Sequence, residues 1–433
     1  MNFLRCDCAV IGAGAAGLCA GARAAKGGLT TFVIDRESHP GGVLLQCIHN
    51  GFGLHYFKEQ LTGPEYAQKS AKMAEEAGAK LLLETFVMEI REEEKQEKTL
   101  VLYSGKDGVT LLRAKTVILA MGCRERCRGN LGIPGDRVAG IYTAGAAQKL
   151  LNMEGILPGK TAVIAGSGDI GLIMARRLSW CGVKVKLVTE IMPYPAGLSR
   201  NIAQCLEDFH IPLRLSTALT GIHGKDRVEY VTIAPLAEGK PDLSREEKIS
   251  CDTVLFSVGL VPENELSKAC KVKLHPVTNG PVADSNCMTN VPGIFACGNV
   301  LHVHDLVDFV SLEAERAADH CIEYVTRLRK GEEPVPSGGR HAVVPAGELR
   351  YVLPCSCGEG EEVCFSMRSS SVRKKALLRI ACGGKVLAEK SLRYVKPAEM
   401  ISFTLPAEKT ASLPEGAELM VTLLPQEENG KEK

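Results

Sequence analysis

The chain has 433 residues, with 52 basic and 51 acidic side chains and a formal net charge of +1. This length allows about two to four domains with sizeable cores. The balanced charge, without a basic block, argues against a nucleic-acid partner. The apolar stretch over residues 9–25 is interrupted by glycines and Arg23, so it does not indicate a secretory signal, and no run predicts a membrane-spanning helix. We therefore expect a cytoplasmic protein without an integral membrane segment.

The cysteines are numerous but do not form a regular pattern. There are seventeen of them, an odd number, and several lie in apolar strand patterns, among them Cys6, Cys8, Cys251 and Cys297. This distribution is typical of reduced thiols in a cytoplasm and does not indicate a disulfide scaffold.

A glycine motif near the N-terminus predicts a dinucleotide-binding site. An apolar strand pattern leads into Gly12, Gly14 and Gly17, and an alanine-rich helical pattern follows. In such motifs the glycines allow a tight turn, a close approach of the backbone to a pyrophosphate and close packing of helix on strand, and the diphosphate binds at the helix N-terminus. A second strand ends in Asp35, which is placed to bind the hydroxyls of a ribose.

The next segment contains polar and catalytically competent residue types. A loop closes in Gly41 and Gly42, and a mixed apolar and polar stretch with Cys47, His49 and His55 follows. The periodicity after this stretch predicts an amphipathic helix over residues 63–78. It then predicts four strands, over residues 81–91, 99–103, 109–113 and 116–122.

A second glycine motif repeats the first. A strand over residues 161–165 leads into Gly166, Gly168 and Gly171, and the next strand ends in Glu190. A carboxylate at that position accepts hydrogen bonds from ribose hydroxyls and repels a 2′-phosphate. The motif therefore favours NADH over NADPH.

The rest of the chain predicts more strands, one long helix and a separate C-terminal region. The helical pattern covers residues 306–330, and residues 331–339, with two prolines, are typical of a linker. Residues 342–424 alternate apolar and polar side chains, which predicts a small all-β domain, and a charged tail follows.

The order of these motifs resembles the two-dinucleotide flavoprotein superfamily that includes glutathione and thioredoxin reductases. The resemblance implies an α/β fold of two Rossmann-like three-layer domains plus a small C-terminal all-β domain, with FAD at the first motif and NAD(P)H at the second. The expected FAD-binding domain has two halves, residues 1–127 and residues 261–332. An NAD(P)H-binding domain is inserted between them over residues 128–260, and a C-terminal β domain covers residues 340–425.

By this resemblance, the cofactors FAD and NADH are bound by glycines and polar residues of three kinds of segment. These are the two glycine motifs, the two segments in which the chain crosses between the domains (residues 120–122 and 257–259), and a second FAD motif at residues 293–299. Asn299 stands where the superfamily normally has an aspartate that bonds to the ribityl chain. The predicted cofactor-binding residues are Gly12, Gly14, Gly17, Asp35, Gly41, Gly42, Gly122, Gly166, Gly168, Gly171, Glu190, Gly259, Gly298, Asn299 and Asp308.

A closer resemblance is to FAD-dependent NAD(P)H oxidoreductases of anaerobic bacteria that accompany a glycerol-3-phosphate dehydrogenase. It is strongest in residues 46–53, 122–126, 190–195, 299–308 and 397–400. It implies a partner dehydrogenase or electron-transfer subunit, and it leaves homo-oligomerisation open.

The predicted catalytic residues are Cys47, His49, His304 and Asp305. Disulfide reductases of the superfamily have a cysteine pair beside the flavin, whereas Cys47 stands alone, so a buried thiol is favoured over redox chemistry at sulfur. His49 is a candidate for proton transfer, with a core histidine as the alternative. The His304 segment favours flavin-edge or substrate contacts over a metal cluster, and we predict no metal site.

These observations predict a flavoenzyme in which NADH delivers hydride to FAD and electrons pass to an unidentified acceptor. Two alternatives stay open. The chain is the flavin subunit of an amine, opine or glycerol-3-phosphate type dehydrogenase that oxidises its substrate directly, or it is a non-catalytic flavin-bearing subunit of a complex.

Overall fold

The structure is a computed structural model that describes residues 2–92, 97–332, 341–411 and 413–426. The predicted linker beyond residue 332 and the predicted charged tail beyond residue 426 lie outside these ranges. The chain folds into two compact units. The first unit comprises Met1–Cys123 and Pro262–Lys433, and the second comprises Arg124–Val261.

The first unit begins with a mixed sheet and two helices. Its sheet has the strand order β5-β2-β1-β8-β7-β6, parallel from β5 to β8 and antiparallel from β8 to β6, and β3 pairs separately with β4. The elements are β1 (Asn2–Ile11), α1 (Ala15–Lys26), β2 (Thr31–Ile34), β3 (Asn50–Phe52), β4 (Leu61–Thr62), α2 (Gly63–Glu76), β5 (Lys80–Leu82), β6 (Thr85–Glu92), β7 (Lys98–Ser104) and β8 (Gly108–Leu119).

The strands before residue 122 differ from the prediction. The two strands predicted over 109–113 and 116–122 form one strand, β8, which pairs with β1 from Thr110 to Leu119. The sequence between them has no turn-forming residue, so the ladder continues. The strand predicted over 81–91 instead divides into β5 and β6 around Glu84, whose φ is 50°, a left-handed conformation that interrupts a strand.

The second unit contains a five-stranded parallel sheet, order β10-β18-β11-β12-β13, and an antiparallel sheet of β14 to β17. Strand β9 pairs with β19. The elements are β9 (Cys123–Glu125), α3 (Arg128–Leu131), β10 (Ile141–Thr143), α4 (Ala144–Met153), β11 (Thr161–Ala165), α5 (Asp169–Trp180), β12 (Lys184–Thr189), α6 (Ser199–Ile202), β13 (Leu213–Arg214), β14 (Thr217–Gly224), β15 (Val228–Ala237), β16 (Lys240–Pro241), β17 (Glu247–Ser250), β18 (Thr253–Phe256) and β19 (Leu260–Pro262).

The chain then completes the first sheet and adds a long helix. Strand β20 pairs in parallel with the end of β8, so its carboxyl end reaches the same sheet edge as the first glycine turn. The elements are α7 (Glu265–Ala269), β20 (Ile294–Ala296) and α8 (Val307–Lys330). Helices α1, α2 and α8 bury one face of the sheet in an alanine-rich core, which completes the Rossmann-like layers.

The C-terminal residues form two further sheets, orders β23-β21-β28-β25-β26 and β22-β24-β27. They enclose a core of their own, yet Tyr351 and Leu353 are buried in the core on the other face of the first sheet. These residues therefore belong to the first compact unit. The elements are β21 (His341–Gly347), β22 (Leu349–Leu353), β23 (Ser356–Cys357), β24 (Val363–Ser369), β25 (Ala376–Cys382), β26 (Lys385–Leu392), β27 (Ile401–Leu405), α9 (Ala407–Thr410) and β28 (Leu419–Pro425).

The described helices are not suited to a bilayer. None of them combines the length and the apolar character that crossing a membrane requires.

Candidate functional site

A larger residue at any glycine of the first turn would either force the backbone to move or fill open space beside the turn. Gly12 has φ 108°, and a Cβ there would lie 2.4 Å from the carbonyl oxygen of Ala120. A Cβ on Gly17 would lie 1.7 Å from the oxygen of Gly12, whereas a Cβ on Gly14 would meet nothing within 4 Å. Open space therefore adjoins the backbone at the start of α1, as a bound diphosphate requires.

Other predicted FAD residues gather at the same turn. The Asp35 carboxylate accepts hydrogen bonds from the N–H of Ala13 at 2.5 Å and from the N–H of Glu37 at 2.9 Å. The N–H of Gly41 donates to the Ala13 oxygen at 2.7 Å, and a Cβ on Gly42 would lie 3.3 Å from the Cα of Gly14. The loop that ends in these two glycines thus lies against the turn, and the arrangement fits an adenine dinucleotide.

The second glycine turn matches the first at its first glycine, whereas its other two glycines have different neighbours. Gly166 has φ 90°, and a Cβ there would lie 2.2 Å from the Ser257 oxygen, as Gly12 faces Ala120. Cβ atoms on Gly168 and Gly171 would also meet Ser257, at 2.8 and 2.5 Å. The N–H of Gly166 donates to the oxygen of Thr189 at 2.8 Å, as that of Gly12 donates to Ile34 at 2.8 Å.

Glu190 has the same relation to its turn as Asp35. Its carboxylate accepts hydrogen bonds from the N–H and the hydroxyl of Ser167, at 3.0 and 2.6 Å, and from the N–H of Met192 at 3.0 Å. The residue is 5% exposed. The carboxylate therefore holds the glycine turn in this structure, and its contact with a ribose stays a prediction.

The two crossing glycines have the left-handed backbone that the turns after β8 and β18 use. Gly122 has φ 71° and Gly259 has φ 101°, and a Cβ on either would meet nothing within 4 Å. Gly122 comes two residues after Ala120, whose carbonyl oxygen faces Gly12, and Gly259 comes two residues after Ser257, whose carbonyl oxygen faces Gly166. Each lies in its own unit, beside the corresponding glycine turn.

The second predicted FAD motif also reaches the first turn. A Cβ on Gly298 would lie 2.8 Å from the Cβ of Ala16, in the first turn of α1. The side-chain oxygen of Asn299 accepts a hydrogen bond from the N–H of His304 at 3.0 Å. The structure thus brings Gly298, Asn299 and His304 together with the N-terminus of α1.

His304 belongs to a buried cluster with His302 and Glu313. The Nε2 atoms of His302 and His304 lie 2.9 and 3.3 Å from Oε2 of Glu313, and Oε1 accepts a hydrogen bond from the N–H of Gly298 at 2.7 Å. Burial opposes the charge on Glu313, but His304 and His302 hold the pKa of its carboxyl well below its usual range. The possible ligand atoms of the three side chains lie within 4.8 Å of one another.

Asp305 and Asp308 are not members of this cluster, and the structure gives each a different set of partners. Asp305 forms an ion pair with Arg368 of β24 and accepts a hydrogen bond from the N–H of Met400 at 2.6 Å. Arg368 also donates to the backbone oxygens of Val303 and Ala398, at 3.2 and 2.6 Å. Asp305 therefore attaches the C-terminal strands to the loop before α8, and its catalytic role stays a prediction.

Asp308, in the first turn of α8, is 1% exposed. Its carboxylate accepts hydrogen bonds from the N–H groups of Gly53, His55 and Tyr56, at 3.2, 3.2 and 2.8 Å. It thus positions the loop before β4 against the helix. A direct contact with a cofactor stays a prediction.

Cys47 and His49 lie in the loop between the glycine pair and β3. The Cys47 thiol donates to the Val43 oxygen at 3.3 Å, and burial raises its pKa to about 12. Nδ1 of His49 lies 3.0 Å from the Asn50 oxygen, and its ring lies 5.1 Å from that of Phe52. No disulfide is present among the described residues, which include all seventeen cysteines.

Sequence reasoning did not select Glu313, Ser167 or Arg368. A signal for Glu313 exists, because it lies among the small and apolar residues of the buried face of α8, such as Val310, Ala314 and Ala317. A carboxylate on such a face requires partners, and the two preceding histidines are of the right type. The partner of Asp305 has no local signal.

Comparison with known proteins gives one family over most of the chain. The family model described as pyridine nucleotide-disulphide oxidoreductase matches residues 6–319.

Three curated relatives illustrate the range of similar proteins. Thioredoxin reductase of Treponema pallidum (strain Nichols) is 29% identical over 297 residues, which are 68% of this chain and 88% of the relative. An opine oxidase subunit of Agrobacterium tumefaciens (strain Ach5) is 26% identical over 68% of this chain and 61% of its own length. Hydrogen cyanide synthase subunit HcnB of Pseudomonas protegens is 25% identical over 60% of this chain and 57% of its own length. The chain thus spans less than two thirds of the last two relatives.

Solved structures show the same fold. The structure of T. acidophilum thioredoxin reductase matches with a TM-score of 0.60 and 25% identity, over 74% of this chain and 98% of that one. L-proline dehydrogenase from P. horikoshii matches with a TM-score of 0.52 and 17% identity, over 77% of this chain and 57% of that one. At this identity the match shows the fold alone. The two Rossmann-like domains predicted from the sequence are confirmed.

Proposed function

Because the chain belongs to the pyridine nucleotide-disulphide oxidoreductase family, we propose that it is a flavoenzyme in which NADH reduces FAD and a partner subunit exchanges electrons with the flavin. Enzymes of this family use FAD and NAD(P)H. When bound, FAD accepts hydride from the nicotinamide and passes electrons on. The observation that supports two nucleotide sites is a feature common to both glycine turns: the N–H of the residue after the first glycine, Ala13 or Ser167, donates to the acid that ends the next strand, Asp35 or Glu190.

The protein's own contribution at the first site is binding and orientation. The open backbone at Gly14 and the N-terminus of α1 provide N–H donors for a diphosphate. Asp35 supplies the acceptor for the adenosine ribose. Asn299 supplies a neutral side chain near the start of α1, where the superfamily has an aspartate.

A dithiol relay is not part of this proposal. Cys47 has a pKa raised to about 12 by burial, so it is a neutral thiol near pH 7 and a poor nucleophile. The sequence has no Cys-x-x-Cys segment. These observations favour direct transfer from the flavin over thiol-disulfide exchange.

An anaerobic titration tests the nucleotide assignment. The purified flavoprotein is titrated with NADH, and separately with NADPH, while the flavin band near about 450 nm is followed. We expect NADH to bleach the band rapidly. If neither nucleotide bleaches it, the proposed donor is wrong.

The preference for NADH rests on Glu190. Its buried carboxylate is held in place by Ser167 and Met192, so a 2′-phosphate at this position would meet a fixed negative charge. We expect Glu190→Gln to reduce the ratio of kcat/KM for NADH to that for NADPH about tenfold, which is about 1.4 kcal/mol. Glu207→Gln, at an exposed position of the same unit, is the control and should leave the ratio unchanged.

A partner subunit is supported by the surface near the first site. Four apolar side chains of residues 43–54 and of the start of α8 are 40 to 63% exposed, namely Val43, Ile48, Leu54 and Phe309. Two relatives are named as subunits. The partner implied by the closer resemblance is a dehydrogenase that oxidises glycerol-3-phosphate.

Co-purification with that dehydrogenase tests this part of the proposal. The complex should reduce NAD⁺ with glycerol-3-phosphate, and Phe309→Asp should lower recovery of the partner without loss of FAD. Recovery that does not change would show that this surface is not the interface.

Direct oxidation of an amine or opine is the second candidate function. It is favoured by the similarity to the opine oxidase subunit of Agrobacterium tumefaciens and by the lack of a dithiol. Bleaching of the flavin by such a substrate, with no response to NADH, would select it. A flavin that responds to neither, in a chain that binds a stable partner, would indicate a non-catalytic subunit.

A further inference from the structure

We propose that the antiparallel strands of the first unit present a docking face for a second protein with an acidic and apolar surface. The face is formed by β6, β7, β8 and the start of β1, and it is separate from the surface of residues 43–54. The inference does not depend on the proposed nucleotide sites. The residues of this outer face are Phe3, Arg5, Phe86, Tyr103, Val109, Leu111 and Arg113.

The two sides of these strands differ in burial. One side belongs to an apolar core, with Val87, Ile90, Leu100, Leu102 and Leu112. Successive side chains of a strand point to opposite sides of the sheet. The residues between the core positions therefore form the outer face, and most of them are exposed or half-buried.

Apolar side chains occupy two adjacent rows of the outer face. In the first row Phe86 pairs with Tyr103, and Tyr103 pairs with Val109. These three side chains are 44, 53 and 43% exposed. In the next row Leu111 pairs with Phe3, which is 68% exposed. Contiguous exposed apolar side chains of this kind mark an interaction site.

Two arginines form the following row. Arg5 and Arg113 are exposed and are direct partners in the ladder of β1 and β8, so their side chains leave neighbouring strands on the same side. Neither guanidinium has an ion-pair partner in the part of the chain that the structure describes. With Phe3 and Leu4 they line a cleft of about 460 Å³. Like charges at opposite positions destabilise a sheet, and an anionic group in this cleft would offset their repulsion.

Two acids of the same strands already have partners. Glu89 pairs with Arg91 at 2.7 Å. Asp7 pairs with Lys115 and Arg329, at 2.9 and 2.8 Å. These carboxylates are therefore committed to other cations, and the outer face keeps its positive charge.

Charge and composition favour a partner of a different sequence. In a two-fold contact between copies the face would meet itself, and its arginines would find no carboxylate among the residues of the face. Aromatic residues and arginine are enriched in protein interfaces, and arginine binds a carboxylate through two parallel hydrogen bonds. An anionic bilayer attracts lysine as well, whereas both basic residues of the face are arginines.

The outer face lies far from the first glycine turn. Phe3 is near the amino end of β1, and Ile11 is at the carboxyl end, where the turn begins. Eight residues of strand span about 26 Å. A protein docked on this face therefore contacts the chain away from the turn, so we assign the face to assembly.

A defined acidic and aromatic probe tests the chemistry of the face. The full chain is titrated with a fluorescent glutamate–tyrosine copolymer at low and high salt. We expect saturable binding that weakens with salt and that Arg113→Gln or Tyr103→Ser weakens about fivefold. Arg393→Gln and Tyr394→Ser, at exposed positions of the C-terminal region, are the matched controls and should leave the affinity unchanged. Equal losses in both pairs of variants would overturn the proposal.

Photo-cross-linking in the native host identifies the occupant. With p-benzoylphenylalanine at position 103 of the full chain, we expect one product with another protein, joined through a segment that contains Asp or Glu beside apolar residues. Arg5→Gln combined with Arg113→Gln should remove that product. The same photoreactive residue at position 394 is the control and should not give it.

Three results would overturn the assignment. The first is a cross-link at position 103 between two copies of the purified chain. The second is sedimentation with phosphatidylglycerol vesicles that Tyr103→Ser abolishes, which would assign the face to a membrane. The third is the lack of any cross-linked protein in the host. None of these measurements uses NADH or the flavin, so failure of the proposed function is seen separately.

Discussion

Gly14 and Gly17 belong to one turn but have different surroundings. A Cβ on Gly14 would enter open space, whereas one on Gly17 would lie 1.7 Å from the oxygen of Gly12. We expect Gly14→Ala to leave the stability of the apoprotein unchanged and to weaken FAD binding at least about tenfold. Gly17→Ala should reduce the free energy of unfolding by about 1–3 kcal/mol. Thermal unfolding of the apoproteins and FAD titrations check both, and equal stability of the two variants would contradict this explanation.

Cys47 is predicted to be unreactive at neutral pH. Burial raises its pKa to about 12, so its thiol stays protonated until the pH approaches that value, and alkylation should accelerate only in strongly alkaline solution. Mass spectrometry after brief treatment with iodoacetamide at about pH 7.5 should find Cys127, which is exposed, modified before Cys47. Cys47→Ser should keep the reduction of the flavin by NADH. Rapid labelling of Cys47 at this pH would restore the redox-thiol interpretation.

At the scale of elements, α8 fixes a loop that is far from it in sequence. Asp308 accepts three N–H groups of residues 53–56. Asp308→Asn removes the charge and one acceptor, so these amides should exchange with deuterium about tenfold faster. Hydrogen-exchange mass spectrometry of the peptide over 50–57 checks this. Asp319 lies on the same helix as Asp308 and forms an exposed ion pair with Arg23. Asp319→Asn breaks that pair and should not change the exchange rate of the 50–57 peptide.

At the scale of the whole molecule, an ion pair joins the C-terminal strands to the rest of the first unit. The side chains of Arg368 and Asp305 are 14 and 18% exposed, so removal of either charge leaves the other poorly solvated. Arg368→Gln and Asp305→Asn should each cost about 3 kcal/mol of unfolding free energy, and the double variant should cost less than their sum. Denaturant unfolding tests this cycle. Arg373→Gln, which breaks the more exposed pair with Glu348, should cost less than about 1 kcal/mol.

Much of the fold follows from local patterns in the sequence. The strand, glycine turn and helix at Gly12 and at Gly166 are contiguous in the chain, and the first glycine of each turn lies against a backbone carbonyl oxygen, so spacing alone predicts both turns. The acids at residues 35 and 190 follow for the same reason. The all-β character of the C-terminal region also follows, because alternation of apolar and polar residues is a property of neighbouring positions.

The tertiary structure decided what depends on residues far apart in the chain. The lack of a turn-forming residue allows β8 to be one strand, but its pairing with β1 along most of its length joins residues about a hundred positions apart and has no signature within the strand itself. Asp305 meets Arg368, 63 residues later, and Glu313 receives two histidines and the N–H of Gly298. The sequence determined which residue types were available for charge and proton chemistry. The packing of α8 against the turn determined their partners, because hydrogen bonds and ion pairs form between neighbours in space.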